Sequence, residues 1–287
     1  MAPRFDLQSH SIYSDGALAP AEVVHRAHAA GIELLALSDH DTVDGVDEAL
    51  EAAALAGIRV VPAVELSAVH DSHEDLHVLG YGIDHHDETL AERTAFARAE
   101  RFTRAERMAD KLRELGFEVD ETPLQRRREN GLAIGRPHLS QAVVEHPANH
   151  ERLQREGLEI VERFLPAYLI PGRPAYLPRE HPTVPEAIGW IHDAGGVAVW
   201  AHPFWDVESP REVLDTIHRF QQHGLDGVEC FYATHTQGQT ELLVQHCATH
   251  GLLRTGSSDF HGPEHKLFSR FGAFELYGLE PNLGPLI

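Results

Sequence analysis

Short apolar runs alternate with amphipathic stretches through the first 87 residues and again from residue 183 onward, and this rhythm limits the fold more than any other feature. "RFDLQSH", "ELLALSDH", "RVVPAVELS", "DLHVLGYGI", "VAVWAHP", "DGVECFY" and "LLRTGSSDFHG" read as strands. Between them, "AEVVHRAHAAG", "VDEALEAAALAG", "VPEAIGWIHDAGG", "PREVLDTIHRFQQHG" and "QTELLVQHCATHG" read as helices, with Pro20 near the first start and Gly31 and Gly57 at ends. Strands alternating with helices imply βαβ units and a parallel sheet. About seven strands point to a closed or nearly closed α/β barrel, with a doubly wound open sheet as the alternative. The rhythm breaks between about residues 88 and 170. There the chain is charged and helical, and Phe102, Ala105, Ala109 and Leu112 form a stripe at helical spacing. The expected organisation is a barrel domain over 1–87 and 176–287, with a helical insertion over 88–175.

Parallel α/β folds bind ligands at the C-terminal ends of their strands. The first strand runs into "DLQSHSIYSDG", which places Asp6, His10 and Asp15 within ten residues. Gln8 stands two residues before His10, where a histidine would complete a metal-binding pair. The second strand ends in "SDHD" (Asp39, His40, Asp41), the third at Glu65, and the fourth carries His77 near its start. Later strands deliver His202, His235, Asp259 and His261. Imidazole and carboxylate donors together suit Zn²⁺, Mn²⁺ and Fe²⁺. Their number exceeds the needs of one tetrahedral ion, so two to three divalent ions are expected. Asp39 and Asp41 are expected to orient ligands or cap the following helix. "HEDLH", residues 73–77, has the spacing of a zinc-protease motif, which works only on a helix. Its surroundings are strand-like, so His73 and Glu74 read as loop residues and His77 as a rim residue.

The formal charge of −21 disfavours tight binding along duplex DNA. No apolar run reaches eighteen residues, and "MAPRFDLQSH" has no signal-peptide core, so neither a membrane partner nor secretion is expected. Cys230 and Cys247 are too few for a disulfide framework and read as packing residues, which fits a reducing cytoplasm. Neither a G-x-S-x-G elbow nor a P-loop is present.

Taken in order, "DLQSHSIYSDG", "LALSDHDT", "VELS", "HVLGYGID", "AHP" and "GSSDFHG" resemble the PHP (polymerase and histidinol phosphatase) family of metal-dependent phosphoesterases over most of the chain. The insertion and the "GRP" segments look most like the bacterial branch containing a 3′,5′-nucleotide bisphosphatase and a 5′-to-3′ exoribonuclease acting on short RNA. The resemblance implies a distorted (β/α)7 barrel with up to three metals. It implies one ion on His10, Glu65 and Asp259, with position 8 normally adding a histidine. A second would sit on Glu65, His77 and His202, and a third on Asp15, His40 and His261. It further implies attack on phosphorus by hydroxide from a water whose pKa the metal lowers to about 7. His235 could protonate the leaving oxygen. Arg136 in "IGRPHLS" and Arg173 in "IPGRPAY" are candidate phosphate clamps.

Two arginines and a metal cluster suit a substrate with two phosphates: a nucleoside 3′,5′-bisphosphate or the 5′ end of a short oligoribonucleotide, taken by a monomer. The alternatives are a phosphatase for a small amino-alcohol phosphate such as histidinol phosphate, and a degenerate barrel that binds metal or nucleotide without turnover. A glutamine amide is a weaker ligand than imidazole, so two well-held ions and a third held loosely or through water are expected.

Overall fold

The computed structural model describes residues 3–71, 73–129, 134–179 and 181–286. By its internal contacts the chain divides into two compact units, Met1–Ala95 with His181–Ile287, and Phe96–Glu180.

The first unit is built on a seven-stranded sheet whose spatial order follows the sequence. Its strands are β1 (Phe5–Asp6), β2 (Leu34–Leu37), β3 (Arg59–His70), β4 (His73–Tyr81), β5 (Val197–Trp200), β6 (Gly227–Tyr232) and β7 (Leu253–Ser257). The sheet closes on itself beyond β1 and β7. The Leu7 N–H donates to the Gly256 carbonyl at 3.2 Å, the His10 N–H to the Phe260 carbonyl at 2.8 Å, and Ser9 bridges Phe260 in parallel. The result is a nearly closed seven-stranded α/β barrel.

The helices are those the apolar spacing predicts. α1 (Pro20–Ala29) and α2 (Val46–Ala56) pack Val23, Val24, Ala27, Ala49 and Ala53 against Leu35 and Leu37. Gly57 closes α2 at φ 73°, a left-handed conformation that costs glycine little. Strands β2 and β6 are buried throughout, as parallel strands covered on both faces should be.

One strand departs from the parallel expectation. β4 runs antiparallel to both β3 and β5, pairing Ser67 with His77 and Val78 with Trp200. A parallel neighbour needs a crossover of about a dozen residues, and only two residues separate His70 at the end of β3 from His73 at the start of β4. The reversal brings the start of β4 to the end of the barrel where the parallel strands finish, which is why His77 reaches that rim. β3 also continues past Glu65 to His70, so Glu65 lies within a strand and not at its end. His73 belongs to β4 instead of a loop and contacts Glu212 at 3.4 Å, so "HEDLH" is not a helical metal motif.

The second unit is helical. α3 (Glu88–Glu114) starts in the first unit and continues into the second, followed by α4 (Glu121–Glu129), α5 (Arg136–Val144), α6 (His150–Glu156) and α7 (Val161–Tyr168). The predicted stripe forms its core: Ala105, Ala109 and Leu112 are buried with Phe117, Val143 and Phe164, and Phe102 packs against them. After this unit the barrel resumes with α8 (Val184–Asp193), α9 (Pro203–Asp206), α10 (Pro210–Gln221) and α11 (Gln237–His250). Thr183 and Thr236 start α8 and α11 with reciprocal caps to Glu186 and Gln239. Among the described residues, no helix is long and apolar enough to cross a membrane.

Candidate metal centre

Glu65 is the hub. It is fully buried, and its neighbours are fixed through the backbone: the Asp41 N–H donates to the Glu65 carbonyl at 2.9 Å, and the Glu65 N–H donates to the Asp39 carbonyl at 3.2 Å. This locks the "SDHD" strand end against β3 and sets His40 Nδ1 3.6 Å from Glu65 Oε2. His10 Nε2 lies 3.1 Å from the same oxygen. On the other carboxylate oxygen, Oε1, His77 Nδ1 lies at 2.9 Å and His202 Nε2 at 3.3 Å. One carboxylate therefore faces four imidazoles.

Two more carboxylates complete the cluster. Asp259 Oδ1 is 3.1 Å from His10 Nε2. Asp15 Oδ1 is 3.5 Å from His10 Nδ1 and 3.4 Å from His261 Nε2, and its Oδ2 is 3.7 Å from His40 Nε2. Donor atoms gather within 4.8 Å of one another in three overlapping groups: His10, Glu65 and Asp259; His40, Glu65 and His77; and His10, Asp15, His40 and His261. His202 adjoins the second group, 3.3 Å from His77 Nδ1. Thus His10, Asp15, His40, Glu65, His77, His202, Asp259 and His261 are brought together. Asp6 is not among them. It accepts from the Ser258 N–H (2.9 Å), the Ser258 hydroxyl (2.5 Å) and the Gly272 N–H (2.8 Å), and burial pushes its carboxyl up to about 7.

The fit to divalent metal rests on these separations. Ligand atoms about 2.1 Å from one ion stand about 3.0 Å apart at right angles and about 3.4 Å apart in a tetrahedron. The contacts of Glu65, Asp15 and Asp259 with the five rings span 2.9 to 3.7 Å. His10 Nε2, His40 Nδ1 and Asp259 Oδ1 are buried without an aligned hydrogen-bond partner, which is costly unless a cation accepts their lone pairs. The residues present fit divalent cations.

The electrostatics agree. Burial alone pushes each carboxyl up, but His40 and His77 hold Glu65, and His40 and His261 hold Asp15, well below the usual carboxylate range. Asp259 is lowered likewise by His10 and His261. In return the carboxylates raise His10, His202 and His261 against the opposing effect of burial. Burial wins at His40, which falls to about 4. Two buried carboxylates, Glu65 and Asp259, and the more exposed Asp15 are thus ionised side by side, and protons or metal ions must neutralise them.

A supporting layer fixes these side chains. Asp39 accepts from the Ser11 N–H (2.7 Å), the Ser11 hydroxyl (2.6 Å) and the Ser14 hydroxyl (2.6 Å), pinning the loop between His10 and Asp15. Asp41 accepts from the Ser67 N–H at 2.9 Å. Both orient ligand-bearing segments; α2 has no side-chain cap, so neither performs the expected capping role. Tyr232 donates to Asp259 Oδ2 at 2.8 Å. The His261 Nδ1–H donates to the Asp259 carbonyl at 2.7 Å, which leaves Nε2, 3.4 Å from Asp15 Oδ1, as the nitrogen free to share a cation with that carboxylate. The backbone is tightly bent at three of these positions: Asp41 (φ 53°), His202 (φ 27°) and Asp259 (φ 55°), conformations costing about 1–3 kcal/mol each that cluster at functional sites.

Glu229, Tyr232 and Ser257 escaped the sequence reading. The signal for Glu229 was a lone carboxylate inside the apolar strand "DGVECFY". It accepts from the His202 N–H at 2.9 Å and lies 2.5 Å from the Ser257 hydroxyl, and burial pushes it up to about 8. Cys230 and Cys247 are buried free thiols in contact at 3.8 Å.

Gln8 is buried in the middle of this arrangement. Its Nε2–H donates to Glu65 Oε2 at 3.0 Å, and its Oε1 accepts from the Ser257 hydroxyl at 3.3 Å. The amide thus turns its donor end toward the hub carboxylate. His235 is also buried, and its Nδ1–H donates to the Cys230 carbonyl at 3.2 Å. Burial, with His202 nearby, pushes its imidazole down to about 4. In its uncharged form, with Nδ1–H on the Cys230 carbonyl, the ring presents Nε2 as an acceptor, whereas the expected role is proton donation. Arg136 opens α5 and Arg173 is exposed, both in the helical unit.

A family model for the PHP domain matches residues 6–132. A 3′,5′-nucleoside bisphosphate phosphatase from Chromobacterium violaceum is 35% identical over 90% of this chain and 87% of its own. A 5′-3′ exoribonuclease from Haemophilus influenzae is 33% identical over 92% of each. The structure of an amidohydrolase from Chromobacterium violaceum, solved with bound sulfate and no metal, superposes with a TM-score of 0.78 at 31% identity, covering 99% of this chain and 93% of that one. Together with the buried histidine–carboxylate cluster, these matches establish that the chain belongs to the PHP family and is a metal-dependent phosphoesterase.

Proposed function

We propose that the chain hydrolyses a phosphate ester of a small nucleotide, either a nucleoside 3′,5′-bisphosphate or the 5′ end of a short oligoribonucleotide. The observation that carries this reading is Glu65, a buried carboxylate with imidazoles on both oxygens. His10 and Asp259 would hold one divalent ion with Glu65, His77 and His202 a second with it, and Asp15, His40 and His261 a third. Zn²⁺, Mn²⁺ and Fe²⁺ suit this mixed donor set. Bound there, such ions supply Lewis acidity to phosphate oxygens and make a water acidic enough to serve as nucleophile near neutral pH. The chain's own groups do the rest. Glu65 fixes the spacing between sites, Tyr232 holds Asp259, and Glu229 holds the His202 backbone. His235, uncharged, offers its unpartnered Nε2 as an acceptor to the bound substrate. The names of the bisphosphatase and exoribonuclease relatives support a nucleotide as substrate. Arg136 and Arg173 grip the phosphate that is not cleaved, and the working unit is a monomer that leaves duplex DNA alone.

The test is metal analysis paired with a phosphoester screen that includes 3′,5′-bisphosphates, short 5′-phosphorylated RNA and histidinol phosphate. Phosphate release from the nucleotides, lost on chelation and restored by Mn²⁺ or Zn²⁺, is expected. Bound metal without release from any ester, or a preference for histidinol phosphate, would overturn the reading. Arg173→Ala and Arg136→Ala are each expected to raise KM about tenfold or more for bisphosphates, the worth of a charge-assisted contact. The effect should be smaller on monophosphates; steady-state kinetics on both substrates checks this.

A further inference from the structure

The rim of the centre carries an aromatic shelf that phosphate chemistry does not use. Trp205 lies three residues beyond His202, on the short α9, and is 51% exposed. Its position is fixed by the buried Pro203 and by its own N–H, which donates to the His202 carbonyl at 2.8 Å. The indole lies 5.7 Å from the Phe268 ring, which lies 5.6 Å from His261. On another side it lies 6.5 Å from Tyr232, whose ring is 5.2 Å from His202. A single aromatic ring thus separates Trp205 from the cluster along two routes. Leu267, 58% exposed, extends the apolar surface next to the buried Phe268.

An exposed apolar side chain alone needs no explanation. This one is a planar ring, held by packing against Phe268 and Tyr232, and it is continuous with a site built for phosphate. A ligand anchored by phosphate at the cluster would extend its remaining body across this shelf. The complement to an indole face is another flat π-system.

We infer that Trp205, backed by Phe268, is the platform on which the base of the nucleotide substrate stacks while its phosphate lies at the histidine–carboxylate cluster. This rests on the phosphoesterase reading above and adds the recognition element to it. Stacking reads no base edge, so all bases are accepted, and purines, with the larger face, are favoured over pyrimidines.

The experiment uses the full chain loaded with Mn²⁺. It compares kcat/KM for adenosine 3′,5′-bisphosphate with that for its baseless counterpart, ribose 3,5-bisphosphate. Trp205→Ala is expected to lower the nucleotide-to-ribose ratio about ten- to a hundredfold, the worth of one stacked base, while Trp205→Phe keeps most of it. An unchanged ratio would overturn the inference. So would a Phe variant as damaged as the Ala variant, or a change in sedimentation with no change in ratio, which would make Trp205 a contact between copies. If the wild type turns over neither compound, the proposed function fails. Quenching of tryptophan fluorescence by the nucleotide, lost in Trp205→Phe, then still decides the platform.

Discussion

Replacing Glu65 with glutamine is expected to lower kcat for phosphate release by about a thousandfold or more, because Lewis-acid stabilisation worth several kcal/mol is lost. The substitution keeps the shape but removes the charge. It also turns one carboxylate oxygen into an N–H donor facing imidazole nitrogens at 2.9 to 3.6 Å. Both sites that share this residue lose a ligand, so metal content should fall together with activity. The metal-free variant should also unfold at a different temperature, because His10 and His202 lose the carboxylate that favours their charged forms. Near-normal kcat with full metal content would show that Glu65 is a structural acid and not the hub. Circular dichroism separates loss of function from loss of fold.

Gln8→His has the second-largest expected effect, in the opposite direction. In the native chain the amide donates to Glu65 Oε2 and accepts from Ser257. It therefore steadies the hub without offering its oxygen to a cation. An imidazole at this position adds a lone-pair donor beside the Glu65 oxygen that His10 also approaches. The expected result is about ten- to a hundredfold tighter binding of the most weakly held ion, with higher activity at limiting metal. Metal titration followed by calorimetry and by phosphate release checks this. Weaker binding would mean that the Gln8–Glu65 hydrogen bond matters more than an added ligand.

Much of this site was legible because strands with buried faces present their ends to one rim. His10, His40, Asp259 and His261 each follow directly from an apolar run, and the structure brings them together. The antiparallel β4 departs from the general expectation of a parallel sheet, although the two residues linking it to β3 leave no room for a crossover. Glu229 was overlooked because an apolar strand draws attention to its packing. The state of His235 was not legible at all. It depends on burial and on the Cys230 carbonyl five residues back, which only the folded chain reveals. The amide orientation of Gln8 likewise depends on Ser257, 249 positions away in sequence.

Anomalous diffraction from crystals of the Mn²⁺-loaded protein addresses the role of Glu65 without relying on any substrate. Expected are metal peaks within coordination distance of Glu65, one shared with His77 and His202 and one with His10 and Asp259, while the Gln8 amide oxygen stays on Ser257. An absence of peaks at Glu65 in protein that releases phosphate would contradict a metal centre built on that residue.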